Sequence, residues 1–106
     1  MITDLIKLDA NQWNMFLSRG TRLFKQKNSV IYRQGELSEG IYFVEEGLVK
    51  ATASSNQGDI KSINFIGPGG FFGEFSLINA PSITSAITLK NTILYFFTVN
   101  EIRSLF

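Results

Sequence analysis

The chain contains no cysteine and no histidine, and these two absences exclude whole classes of chemistry. Without cysteine there is no disulfide, no iron–sulfur cluster, no thiolate zinc site and no thiol nucleophile. Without histidine there is no imidazole metal ligand, no histidine-ligated haem and no serine–histidine relay. Charge is also sparse, at 18% of the residues against roughly 25% in ordinary soluble domains. Ten basic and nine acidic side chains leave a net charge of +1, so no bulk attraction to nucleic acid or to an anionic membrane is expected. The acids are scattered, and no metal or other cofactor is expected. The longest apolar run, Ile93 to Phe97, is five residues, where a membrane span needs about 18. The first residues, Met-Ile-Thr-Asp-Leu-Ile-Lys, lack the basic patch and apolar core of a signal peptide, so a cytoplasmic location is expected.

What is present is apolar and aromatic. Hydrophobic residues make up 44% of 106, with ten Phe, three Tyr and one Trp, enough for the core of one globular domain over residues 1–106. So thinly charged a surface suggests a chain covered by a partner or belonging to something larger. Asp9 followed by Gln12 reads as a capping box. Trp13, Phe16 and Leu17 then share one helical face, which predicts a helix over 10–19 closed by Gly20. From Arg22 to Phe97 short β-forming runs alternate with turns. Val30–Tyr32, Ile41–Val44, Leu48–Thr52, Ile60–Ile66, Ile83–Lys90 and Thr92–Phe97 are separated by Arg33-Gln34-Gly35-Glu36, Glu45-Glu46-Gly47, Asn56-Gln57-Gly58-Asp59 and Gly67-Pro68-Gly69-Gly70. Seven or eight short strands at this spacing predict a sandwich, jelly roll or barrel. A second capping box, Thr98 to Glu101, opens a last helix with Ile102, Leu105 and Phe106 as its apolar stripe. Because the chain stops on that stripe, position 106 is read as a cut within a longer helix.

Residues 67–77, Gly-Pro-Gly-Gly-Phe-Phe-Gly-Glu-Phe-Ser-Leu, are the stretch most suited to a ligand. Glycines let a backbone approach a bound molecule closely. Gly73-Glu74-Phe75-Ser76-Leu77 reads as a strand end entering a short helical turn with free amides, where the Glu74 carboxylate can accept from a ligand hydroxyl. This cassette resembles the phosphate-binding cassette of the cyclic-nucleotide-binding domain shared by Crp/Fnr-type transcription regulators. Val30-Ile31-Tyr32-Arg33-Gln34-Gly35-Glu36 resembles that family's first strand and turn. Gly40-Ile41-Tyr42-Phe43-Val44-Glu45-Glu46-Gly47-Leu48-Val49-Lys50 resembles its next hairpin. The resemblance covers roughly residues 10–106. It implies a mainly β fold, a double-stranded β-helix jelly roll with short flanking helices at both ends.

The chain departs from the family at one point. In relatives that bind cyclic nucleotides an arginine nine or ten residues after the glutamate pairs with the phosphate. Here those positions hold Ile83 and Thr84, and residues 62–89 contain no Lys or Arg. Lys90 lies six residues beyond Thr84, about 20 Å along a strand. The missing contact is worth roughly 1.5–3 kcal/mol, so weak or absent binding of cyclic AMP is expected.

The candidate ligand-binding residues are therefore Gly73, Glu74, Phe75, Ser76, Thr84, Ser85 and Lys61. Each also has a plainer reading. Glu74 can cap the helical turn, the glycines can serve turn geometry alone, and Thr84 suits a strand. Lys61, sharing parity with Ile63 and Phe65, can point into the roll as a substitute cation or snorkel to water. Most of the ten Phe are expected in the core. No acid–base pair accompanies Glu74, so no enzymatic activity is expected.

The resemblance implies an effector-sensing domain that binds a small molecule of unidentified kind. It further implies a homodimer formed through the continuing C-terminal helix, and DNA contact only through a domain outside this chain. No membrane partner is expected. Two rivals stand beside this reading: a stand-alone or channel- or kinase-type cyclic-nucleotide-binding module, and a ligand-free interaction domain on the same fold.

Overall fold

The run Ile93–Phe97 is apolar without alternation because the strand that carries it is covered on both faces. In the computed structural model, which describes residues 9–105 and every side chain among them except that of Leu105, eight strands form two four-stranded antiparallel sheets. They are β1 (Thr21–Lys25), β2 (Val30–Tyr32), β3 (Gly40–Glu46), β4 (Val49–Ser54), β5 (Ile60–Ile66), β6 (Phe71–Phe72), β7 (Ser85–Thr88) and β8 (Thr92–Thr98). One sheet runs β1-β8-β3-β6 and the other β2-β7-β4-β5. This is the jelly roll the strand count predicts, and the strand boundaries follow the apolar runs closely. β1 and the two-residue β6 are the pieces the sequence did not mark separately.

Helix α1 (Ala10–Ser18) opens on the expected capping box. The Gln12 amide donates to Asp9 Oδ1 at 2.8 Å, and the Asp9 amide donates to Gln12 Oε1 at 2.9 Å. Helix α2 (Val99–Leu105) opens on half of one. The Glu101 amide donates to the Thr98 hydroxyl at 3.1 Å, but the Glu101 carboxylate receives that hydroxyl's own proton at 3.0 Å. Thr98 is still paired with Gly40 in the β3–β8 ladder, which occupies its backbone. The expected stripe on α2 shows at Ile102, which is fully buried. Its continuation through the Leu105 side chain and Phe106 lies outside what is described.

Two cores result. Between the sheets lie Tyr32, Val44, Val49, Ala51, Ile66, Phe72, Ala86 and Leu94. Between the first sheet and the helices lie Phe16, Ile41, Phe43, Phe97 and Ile102, with Trp13 and Leu17 against them. The alternation of β3 and β8 assigns odd and even residues to different cores: Val44 and Leu94 to one, Phe43 and Phe97 to the other. Gly40 lies at the start of β3, where a Cβ would run into the Phe97 carbonyl, so no larger residue fits between these two strands. Fewer Phe residues are core than expected: Phe16, Phe43, Phe72 and Phe97 are buried, Phe71, Phe75 and Phe96 are half-buried, and Phe24 and Phe65 are 61% and 59% exposed.

The second sheet has one wet face, and its edge strand β5 is exposed from Ile60 to Phe65, with only Ile66 buried. The register sets Ile63 opposite Thr52 and Phe65 opposite Lys50. Lys50 and Thr52 line the open outer groove of this sheet with Val30, Arg33, Gln34 and Ile87. Ile63 and Phe65 therefore face outward, and Lys61 is exposed where the pairing with β4 shifts register. Ser62 and Asn64 face in.

Candidate functional site

Between the sheets, beneath the cassette, lies a cavity of about 260 Å³. One wall is Tyr32 of β2 and Thr84 just before β7. A second is Ala51 of β4 with Ser62, Asn64 and Ile66 of β5. The roof is Phe71 and Phe72, with Gly73, Glu74 and Phe75. Gly73 makes the corner: its φ of 86° is left-handed, and the 3-10 helix Glu74–Ile78 starts directly after it. A side chain there would be strained by that φ, and its Cβ would lie 3.2 Å from the Gly40 carbonyl oxygen. The N-cap of this short helix is Gly73, which makes no side-chain capping bond, and Glu74 is the acid of its first turn. It stands exposed at the rim of the cavity.

Of the residues marked from the sequence, Gly73, Glu74, Phe75 and Thr84 come together here. Three do not. Ser76 is buried, but its hydroxyl donates to the Gly73 carbonyl at 2.9 Å. It lines a different groove with Leu37, Glu39, Asn79, Val99 and Arg103, so its role is to lock the 3-10 turn. Ser85 has the opposite parity to Thr84. Its hydroxyl accepts the Gln34 amide at 2.8 Å on the outer face, where it fastens the Arg33–Glu36 turn. Lys61 is exposed at a register shift of β5 and is not among the residues that line the cavity, to which β5 contributes Ser62, Asn64 and Ile66.

The residues that sequence reasoning passed over are Tyr32, Ser62 and Asn64. Tyr32 is 6% exposed. Burial pushes its phenol up, the nearby Thr84 and Ser82 hydroxyls pull it part of the way back, and the Glu74 charge raises it further. The phenol thus stays protonated and available as a donor. Its ring belongs to an aromatic group with Phe72 at 6.1 Å and Tyr42 at 6.3 Å, and Tyr42 stacks on Phe72 at 5.0 Å. Burial likewise raises the Tyr42 phenol, with Tyr32 and Glu39 adding to the effect. Ser82 is buried and fixes Thr84: its hydroxyl donates to the Thr84 carbonyl at 2.7 Å and accepts the Thr84 amide at 3.3 Å. A signal for Ser62 and Asn64 was present in the alternation of Ile60–Ile66. It consists of two small polar residues flanked by apolar ones, on the face a sandwich usually fills with hydrocarbon.

A β roll with a glycine-cornered cassette over a cavity is the architecture of the cyclic nucleotide-binding domain fold. Residues 22–106 match the family model of the cyclic nucleotide-binding domain, and the chain belongs to that family. A cyclic AMP receptor protein of Thermus thermophilus is 32% identical over 72 residues, 67% of this chain and 33% of that protein. A cAMP-dependent protein kinase regulatory subunit of Eremothecium gossypii is 29% identical over 90 residues, 84% of this chain and 19% of the subunit. The crystal structure of the Thermus thermophilus catabolite activator protein superposes with a TM-score of 0.87 at 26% identity, over 92% of this chain and 46% of that one. The chain thus spans between a fifth and a half of the length of these relatives. The fold is common to regulators of the Crp/Fnr type and to kinase regulatory subunits. Among the described residues, no helix is long and apolar enough to cross a membrane.

Proposed function

We propose that this chain is the effector-sensing domain of a Crp/Fnr-type transcription regulator whose effector is not gripped through a phosphate–arginine pair. The observation that carries this reading is the cavity itself. It has a phenol, hydroxyls, an amide and one carboxylate on its walls, and no Lys or Arg among the described residues. The domain acts without catalysis, in the cytoplasm. Helix α2, anchored by Ile102, passes the liganded state to a homodimer formed through its continuation. DNA is contacted by a further domain. Cyclic AMP and cyclic GMP should bind weakly or not at all, since the charge-assisted contact is missing. The test is a thermal-shift screen of metabolites on the full-length protein, because a ligand of the native state raises its melting temperature by mass action. A flat screen overturns the reading.

Glu74→Gln separates a ligand contact from a structural acid. With no capping bond to lose, the variant should keep its stability to within about 0.5 kcal/mol while its response to the effector falls. A normal response with a lowered melting temperature would sink the role given to Glu74. The similarity to a kinase regulatory subunit favours a second reading, a cyclic-nucleotide-type module serving another output domain. The output domain found in the full-length protein decides between them: a helix-turn-helix supports the first, a kinase-associated or membrane segment the second.

A further inference from the structure

Resting on the reading of the cavity as the effector site, we infer that it takes an uncharged ring compound bearing hydroxyl or amino groups, the chemistry of a nucleoside, and turns away phosphates and carboxylates. The first ground is where the charges lie. The cations nearest in sequence to the cavity walls, Arg33 and Lys50, line the outer groove of the second sheet, and Lys61, exposed at an irregularity in the β4–β5 pairing, is not among the residues that line the cavity. The acid Glu74 is at the cavity rim. An anion entering would lose its hydration and meet a like charge, with no cation to offset either.

The second ground is the inverted pattern of β5. Its apolar residues Ile63 and Phe65 are in water, and its polar residues Ser62 and Asn64 face the cavity. Ser62 and Asn64 are also open to solvent, so they stand hydrated at the mouth of the cavity and can exchange water for a ligand. Hydroxyl and carboxamide groups carry no net charge and both donate and accept, which matches a neutral polyfunctional ligand. The Tyr32 phenol and the Thr84 hydroxyl line the same cavity from the far side of the second sheet, beyond β4.

The third ground is shape. Phe72 and Phe75 give the roof aromatic character, suited to a planar ring, while the Phe71 ring packs away from it on Trp13, Phe16 and Phe43. The cavity, of about 260 Å³, has room for one ring system with a small hydroxylated appendage.

The test is calorimetry on the full-length protein with adenosine and guanosine, each against its own 3′,5′-cyclic monophosphate at one salt concentration. At least one nucleoside should bind, and about tenfold or more tightly than its cyclic monophosphate. Glu74→Gln should narrow that ratio, because removing the negative charge relieves the anion, whereas loss of a purely structural acid leaves the ratio where it was. Asn64→Leu should weaken the nucleoside about tenfold. Equal or tighter binding of a cyclic monophosphate, no binding by either nucleoside, or an unchanged ratio in Glu74→Gln each overturns the inference. The broader reading fails separately. If nucleosides do not bind but an anionic metabolite stabilises the protein, the ligand class is wrong and sensing stands. If no metabolite does so, both fall.

Discussion

Replacing Phe97 by alanine should destabilise the domain by about 3–5 kcal/mol, the largest loss expected from any single truncation. The ring is fully buried and stacks on Phe16 with centroids 4.3 Å apart. It also fills the space above Gly20, where even a Cβ would come within 2.6 Å of it. Gly20 has no side chain to move into the void, and the backbone of β8 is clamped between β1 and β3, so relaxation should be poor. Against a total stability of about 5–15 kcal/mol, the loss removes a large share of it, and the melting temperature should fall steeply. Urea denaturation followed by far-ultraviolet circular dichroism measures the loss. A drop of under about 1.5 kcal/mol, the range of volume-conserving swaps, would show that the helices do not depend on this contact.

Thr84→Arg should raise affinity for cyclic AMP about ten- to a hundredfold, the equivalent of roughly 1.5–3 kcal/mol for charge-assisted hydrogen bonds. Thr84 is half-buried on the cavity wall, and its main chain is pinned by Ser82 through bonds of 2.7 and 3.3 Å. A longer side chain can therefore extend into the cavity without moving the strand. The guanidinium would supply the one positive charge the site lacks. Calorimetry on the variant and its parent measures the gain. If affinity is unchanged, the cavity is closed to a nucleotide for reasons of shape, and charge is not what excludes it.

The architecture was legible because hydrophobic pattern and turn chemistry agreed. Val30–Tyr32 and Ile60–Ile66 are strands with the boundaries their composition sets, and Asp9 with Gln12 begins α1 as the capping rule requires. β1 was harder to read. Thr-Arg-Leu-Phe-Lys has one half-buried apolar residue, Leu23, and one exposed, Phe24, so its pairing with β8 rather than its own composition makes it a strand. The site was legible only in part. A motif located Gly73, Glu74 and Phe75 because they are contiguous and their backbone geometry is local. Ser85 and Lys61 went astray through parity, since a strand turns each neighbour to the opposite face and composition does not say which face is inner. In β5 the usual guide misleads outright: the apolar residues are outside, so the assumption that Ile63 and Phe65 face the core carries Lys61 inward with them. Tyr32 needed the fold itself, because it meets Thr84 only through the pairing of β2 with β7.

The position of β5 has a further consequence, for motion. It is hydrogen-bonded along one side, to β4, and six of its seven residues are exposed on both faces. Little buried area resists its detachment, so its amides should exchange with solvent well before those of β3 or β8, which are covered by two layers of side chains. The wall that carries Ser62 and Asn64 is thus the part of the cavity that opens most readily, and a small molecule need not wait for the whole roll to loosen. Once inside, the same molecule ties β5 to Tyr32 and Thr84 across the gap. Occupancy should therefore slow exchange in β5 more than in any other strand, a stiffening that hydrogen–deuterium exchange would read directly.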